Sequence, residues 1–96
     1  MKIPNTKEIE AEIETLKAMK PTVVRQSMFG DNHWNSIDAQ IHVLTERMTE
    51  DEVYDNYENK GYADNVREGA IEAAQWLVGE NEYGAPSKEW KSLVRK

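Results

Sequence analysis

Apolar residues recur at helical spacing along most of the chain. Trp34, Ile37, Ile41, Leu44 and Met48 follow one another at intervals of three, four, three and four, which places them on one face of an α-helix running from Asp31, a capping residue, to about Met48. A thinner stripe of Ile9, Ile13 and Leu16 predicts an earlier helix from about Thr6 to Met19. Asn5 is placed to cap the backbone N–H of Glu8, and Lys20-Pro21 reads as the stop, because the residue before a proline avoids the helical region. Glu8, Glu10, Glu12 and Glu14 surround that stripe, so this helix is expected on the outside, with a solvated surface as the plain reading of its glutamates and an acidic docking face as the functional one. Pro21-Thr22-Val23-Val24-Arg25 is rich in β-branched residues and reads as extended, but has no second strand to pair with; Ser27-Met28-Phe29-Gly30 reads as a turn.

The sharpest boundary lies at Thr49-Glu50-Asp51-Glu52. It has the spacing of a capping box, with Met48 and Val53 placed as the hydrophobic staple. The third helix then spans roughly 50 to 59, with Val53, Tyr54 and Tyr57 as its contacts and Gly61 beyond its end. A fourth helix runs from Ala63 or Asp64 to Val78, with Gly79 as its stop. Its polar stripe of Asn65, Glu68, Glu72 and Gln75 is narrow and its apolar face broad, which predicts the central helix of the fold. Ile71, Ala74 and Val78 widen the apolar arc, so either neighbours cover both flanks or part of this face meets another chain. Gly69 lies mid-helix, where it costs about 1 kcal/mol relative to Ala, and the close approach of a partner backbone accounts for it. Pro86-Ser87 introduces a last short helix that can turn Trp90, Leu93 and Val94 inward. The prediction is an all-α fold over 1–96 as one domain, a small bundle or orthogonal array of four to five helices, with Ile37, Ile41, Leu44, Ala73 and Leu77 at the centre of its core.

Composition narrows the classes. A chain of 96 residues, 39% hydrophobic and 31% charged, with three Trp and four Tyr, has the anchors to fold around one modest core. There is no cysteine, which removes disulfides and thiolate chemistry. No apolar run approaches the ~20 residues a membrane span needs, and Met1-Lys2-Ile3-Pro4-Asn5 has no leader-like apolar segment, so the expectation is a cytoplasmic protein without a membrane partner. The net charge of −6 is unevenly spread. Glu46, Glu50, Asp51, Glu52, Asp55 and Glu58 face only Arg47 in their stretch, whereas Lys88, Lys91, Arg95 and Lys96 make the end of the chain mildly basic. Such a footprint is poor for phosphate backbones and argues against nucleic acid. The helix N-terminus at Glu50 to Glu52 already accounts for part of the acidic run.

Chemistry-bearing constellations are few. His33 and His42 are nine residues apart on one predicted helix, about 180° from each other, and do not converge on a metal. Asp38 and His42, four apart, can pair as one element of a general base, although ordinary surface pairing explains them more simply. Asp31 and His33 beside Trp34 can hold an ion, but capping alone explains Asp31. The glycines at 30, 61, 69, 79 and 84 punctuate helices and form no phosphate loop. The expectation is therefore no catalytic residue, no cofactor and no metal. Trp34, Trp76 and Trp90 fit core stripes, whereas Phe29, Tyr62 and Tyr83 fall in turns beside Gly30, Gly61 and Gly84. Exposed turn aromatics make good interface anchors, and with Glu50, Asp51 and Asp55 they are the candidate protein-binding residues, folding back over the core being the alternative for each aromatic.

The succession Phe29-Gly30-Asp31-Asn32-His33, Ile37-Asp38-Ala39-Gln40-Ile41, Glu50-Asp51-Glu52-Val53-Tyr54-Asp55 and Ala73-Ala74-Gln75-Trp76-Leu77 resembles small helical proteins encoded by phages and prophages. The resemblance covers most of the chain and implies an accessory protein that acts by binding a host or phage protein; it carries no site residue with it. Three functions remain in order. The first is a non-enzymatic interaction module. The second is a self-associating assembly protein using Gly69, Ala70, Ala73 and Ala74, a homo-oligomer. The last is a small metal-dependent hydrolase using Asp31, His33, Asp38 or His42.

Overall fold

The computed structural model describes residues 3–26, 31–58, 61–62, 64–81 and 84–87, and the side chains of these residues other than 21–26, 31–35 and 58. Among the described residues there are four α-helices and no strand: α1 (Thr6–Gln26), α2 (Asp31–Glu46), α3 (Glu50–Val53) and α4 (Asp64–Leu77), with a π-helical turn over Tyr54–Glu58 continuing α3. The radius of gyration, 12.4 Å, is that of a compact chain of this length. The expected fifth helix, with Trp90, Leu93 and Val94, lies outside the described residues, as does the turn at 27–30.

The helix ends follow local rules closely. Asn5 Oδ1 accepts the Glu8 N–H at 2.9 Å, and the Asn5 carbonyl accepts from Ile9 at 3.0 Å, so α1 starts where its cap predicts. At α3 both arms of the capping box form, Glu52 N–H to Thr49 Oγ1 and Thr49 N–H to Glu52 Oε1, each at 3.2 Å. Helix α4 closes with a full Schellman pair, Glu80 N–H to the Gln75 carbonyl at 2.9 Å and Gly79 N–H to the Trp76 carbonyl at 3.1 Å. Helix α2 uses the same device with an unusual residue. Arg47 takes the left-handed position at φ 53°, Met48 N–H reaches the Val43 carbonyl at 3.1 Å, and the Arg47 guanidinium donates to the carbonyl of Leu44. The arginine thus stands where glycine is usual, and its own side chain satisfies a carbonyl that the helix end leaves open.

One boundary departs from the sequence reading. Helix α1 does not stop at Lys20-Pro21 and 22–25 is not extended; the helix continues through Pro21 to Gln26. An interior proline removes one backbone bond and costs about 3 kcal/mol, a local preference that tertiary packing outweighs here. Leu16 and Met19 are buried in the core one turn before it, and Lys20 forms an ion pair with Asp38 of α2.

Helix α1 packs on α2 and α2 on α4, while α3 and the π turn also pack on α4. The central place predicted for α4 is therefore shared with α2, which buries Ile37, Ala39, Val43 and Leu44. Each large aliphatic side chain buried in this way contributes roughly 1.5 to 3 kcal/mol. Of the expected core centre, Ile37, Leu44 and Ala73 are wholly enclosed, whereas Ile41 and Leu77 are half-buried and pack on its rim. The α2–α4 contact is close because it meets at Gly69. A Cβ on that residue would lie 2.3 Å from Ser36 Oγ, 3.0 Å from Gln40 Nε2 and 3.3 Å from the Ser36 carbonyl oxygen. Ser36 and Gln40 are buried polar residues of α2, and the Ser36 hydroxyl donates to the Asn65 carbonyl at 3.2 Å.

The glutamates of α1 do not form one solvated face. Glu12 is buried, and its carboxylate accepts from both the backbone N–H and, at 2.7 Å, the hydroxyl of Ser87. Burial of a carboxylate is tolerable only with such partners. The bonds pin the far end of the described chain onto α1, leaving Glu10 and Glu14 exposed and Glu8 half-exposed.

Candidate functional site

Asn5, Arg47, Thr49 and Glu52 serve helix ends, so a candidate site is sought where several chemical types converge without a capping role. Such a place exists where α2, the π turn and the start of α4 meet. Asp38, Ala39 and His42 from α2, Tyr57 from the π turn, Tyr62 from the following connection and Val66 from α4 line an open hollow of about 340 Å³. Helical spacing puts Asp38 and His42 one turn apart on the same side of α2. Gly61 precedes Tyr62 at φ 75°, a left-handed conformation that suits glycine and turns the chain from the π turn towards α4.

Tyr57 is the hinge of this arrangement. Its ring is buried, and its hydroxyl lies 2.6 Å from His42 Nδ1 with the two rings edge to face at 6.0 Å. Burial, foremost, together with Tyr62 and Asp38 nearby, pushes the Tyr57 phenol above its usual value. The hydroxyl and Nδ1 share one hydrogen bond, whose direction is set by the imidazole tautomer. Tyr62 lies against Tyr57 with ring centroids 5.1 Å apart and a tilt of 51°, yet is itself 50% exposed. One tyrosine therefore braces another at the surface.

The pairing of Asp38 with His42 considered from the sequence is replaced by two separate ones. Asp38 Oδ1 takes the Lys20 ammonium, and His42 takes the Tyr57 hydroxyl. The carboxylate thus does not orient the imidazole, so the two do not form a general-base couple. Asp31 and His33 belong to the residues of α2 whose side chains lie outside the description. Among the described residues no three His, Cys, Asp or Glu side chains come together as metal ligands.

Of the sequence-predicted binding residues, Tyr62 is 50% exposed, which decides for it between the two alternatives left open by its turn, and Phe29 and Tyr83 lie outside the described residues. Asp51 and Asp55 are exposed. Glu50 is half-exposed; its carboxyl is raised above 4.5 first by burial, then by a hydrogen bond with Glu80 and the negative charges of Glu80 and Asp51. Tyr54, expected as a contact of the third helix, is 40% exposed, and Val78, just past the end of α4 on the arc expected to meet either neighbouring helices or another chain, is 50% exposed. Tyr54 immediately follows buried Val53, and the helix has room on one face only for Val53 and Tyr57. The small residues proposed for self-association, Gly69, Ala70, Ala73 and Ala74, are buried within the single chain against its own helices.

A larger groove of about 530 Å³ runs along α1 beside Thr45. Lys7, Glu10, Glu14 and Lys17 line it at helical spacings of three and four, with Ile13 between them. Its two glutamates lie between two lysines three residues away on either side, which makes it a solvated helix face rather than a convergent site. Comparison with protein-family models, with curated proteins and with solved structures found no match.

Proposed function

We propose that this chain is a non-enzymatic protein-interaction module, an accessory factor of phage or prophage type that acts by binding a host or phage protein. The observation that carries the reading is the half-exposed ring of Tyr62, braced from behind by buried Tyr57 and bordered by the hollow. An aromatic held rigid before contact loses little freedom on binding, which is why such residues dominate interface energies. Tyr54 adds a second exposed ring on the same short segment, and Asp51 and Asp55 add negative charge that steers a basic partner. Catalysis finds less support, since Asp38 and His42 are engaged by Lys20 and Tyr57 rather than by each other. Self-association through the small-residue stripe of α4 finds less as well, because that stripe is consumed inside the chain.

The test begins with capture of partners from the native host and then compares variants. Tyr62→Ala is expected to lose the captured protein while melting as the parent does. Retention of the same protein by a Tyr62→Ala variant that melts as the parent does would contradict the reading.

A further inference from the structure

We infer that the hollow beside Tyr62 receives a cation, specifically an arginine side chain of the partner; this inference rests on the protein-interaction reading and names the chemistry of its contact. Three properties of the lining point the same way. Two tyrosine rings with centroids 5.1 Å apart and a tilt of 51° both line the hollow, and aromatic rings attract cations through their quadrupole. Asp38 supplies a carboxylate at the rim, with 43% of its side chain exposed. Lys20 bonds its Oδ1, and a carboxylate can accept from more than one donor. Ala39 and Val66 supply an apolar surface for the methylene stem of a long side chain.

The alternatives fit less well. An anion entering here would meet the Asp38 carboxylate, and the phenol hydroxyl that might have bonded it is occupied by His42. An ammonium would repeat what Lys20 already provides, whereas a planar guanidinium can lie against a tyrosine ring and still direct an N–H to a carboxylate. The overall charge of −6 and the exposed acids on the adjoining segment favour approach by a basic surface.

The experiment titrates the full chain, observed by NMR at the aromatic resonances, with acetyl-arginine amide, its neutral isostere acetyl-citrulline amide and acetyl-glutamate amide. Arginine amide is expected to give saturable shifts at Tyr57, Tyr62 and His42. Citrulline amide is expected to bind several-fold more weakly and glutamate amide to leave these resonances in place. Tyr62→Ala should weaken arginine binding by about two- to fivefold, the range of an exposed cation–π contact. Asp38→Asn should weaken it as well, with circular dichroism verifying the fold of each variant. Equal shifts from arginine and citrulline amides, or no saturable shift from arginine amide, would overturn the inference. If arginine amide fails to bind while Tyr62→Ala still abolishes partner capture, the inference falls alone and the interaction reading stands. If arginine amide binds and Tyr62→Ala leaves partner capture intact, the hollow's chemistry is supported and the interaction reading falls.

Discussion

Replacing Gly69 by alanine sets two effects of opposite sign against each other. Helix propensity alone predicts a gain of about 1 kcal/mol, since glycine is poor in a helix interior. The packing of α2 on α4 predicts a loss. The new Cβ would stand 2.3 Å from Ser36 Oγ, which can move only by rotating away from the Asn65 carbonyl it now bonds at 3.2 Å. Losing that bond costs about 0.5 to 1.5 kcal/mol. The Ser36 carbonyl oxygen at 3.3 Å belongs to the backbone of α2 and can yield only if the helices separate slightly. Overpacking of this kind costs about 1 to 3 kcal/mol. The net expectation is a destabilisation of about 0.5 to 3.5 kcal/mol, and a value near 2 would lower the melting temperature of a domain this size by about 8 to 16 °C. Thermal melts by circular dichroism measure it, with Ser36→Ala and the double variant completing a cycle in which removal of the hydroxyl relieves part of the damage. A rise in melting temperature for Gly69→Ala would mean that propensity prevails, and that α2 and α4 do not meet closely at this point.

Three further outcomes are expected. Thr49→Ala should lower stability in urea by about 0.5 to 2 kcal/mol, since it removes the acceptor of the Glu52 N–H, and Thr49→Ser should retain most of it. Glu50 has a native pKa raised above 4.5, so the protonated form is favoured by folding; its contribution is fully present below that value and is lost as pH rises through the native one. Glu50→Gln should therefore raise the melting temperature near pH ~7 and have little effect below the carboxylate range, which melts across the acid range will show. The Tyr57 phenol is likewise raised, above 10.0, so native stability should decline as pH climbs through its folded value, and Tyr57→Phe should flatten that alkaline decline in chemical melts.

What the sequence revealed and what it concealed follow from the range of the interactions involved. Asn5, Thr49 and Gly79 act within one turn of their own position, and each does in the structure what its neighbours imply. Gly69 was legible too, because a glycine inside a strong helical stripe calls for a close neighbour, although only the fold identifies that neighbour as Ser36. Pro21 misled, because a local preference against helix was set against packing that sequence does not display. Glu12 gave no signal at all: among four similar glutamates, the one that is buried is chosen by Ser87, 75 residues away. The candidate site is of the same kind. His42 and Tyr57 are 15 residues apart and meet only because the π turn comes back beside α2. Its turn marked Tyr62 as either an exposed anchor or a lid over the core; which of the two it is, the tyrosine that braces it and the hollow they share with Asp38 could not be read from sequence.

The most direct test of the interaction reading is the binding kinetics of Tyr62→Ala against the protein captured by the parent chain, measured at low and high salt with melting curves alongside. A faster dissociation rate, an unchanged melting temperature and an association rate that remains salt-sensitive are expected, because Asp51 and Asp55 still steer the encounter. Parental dissociation kinetics from a Tyr62→Ala variant that melts as the parent does would contradict that reading.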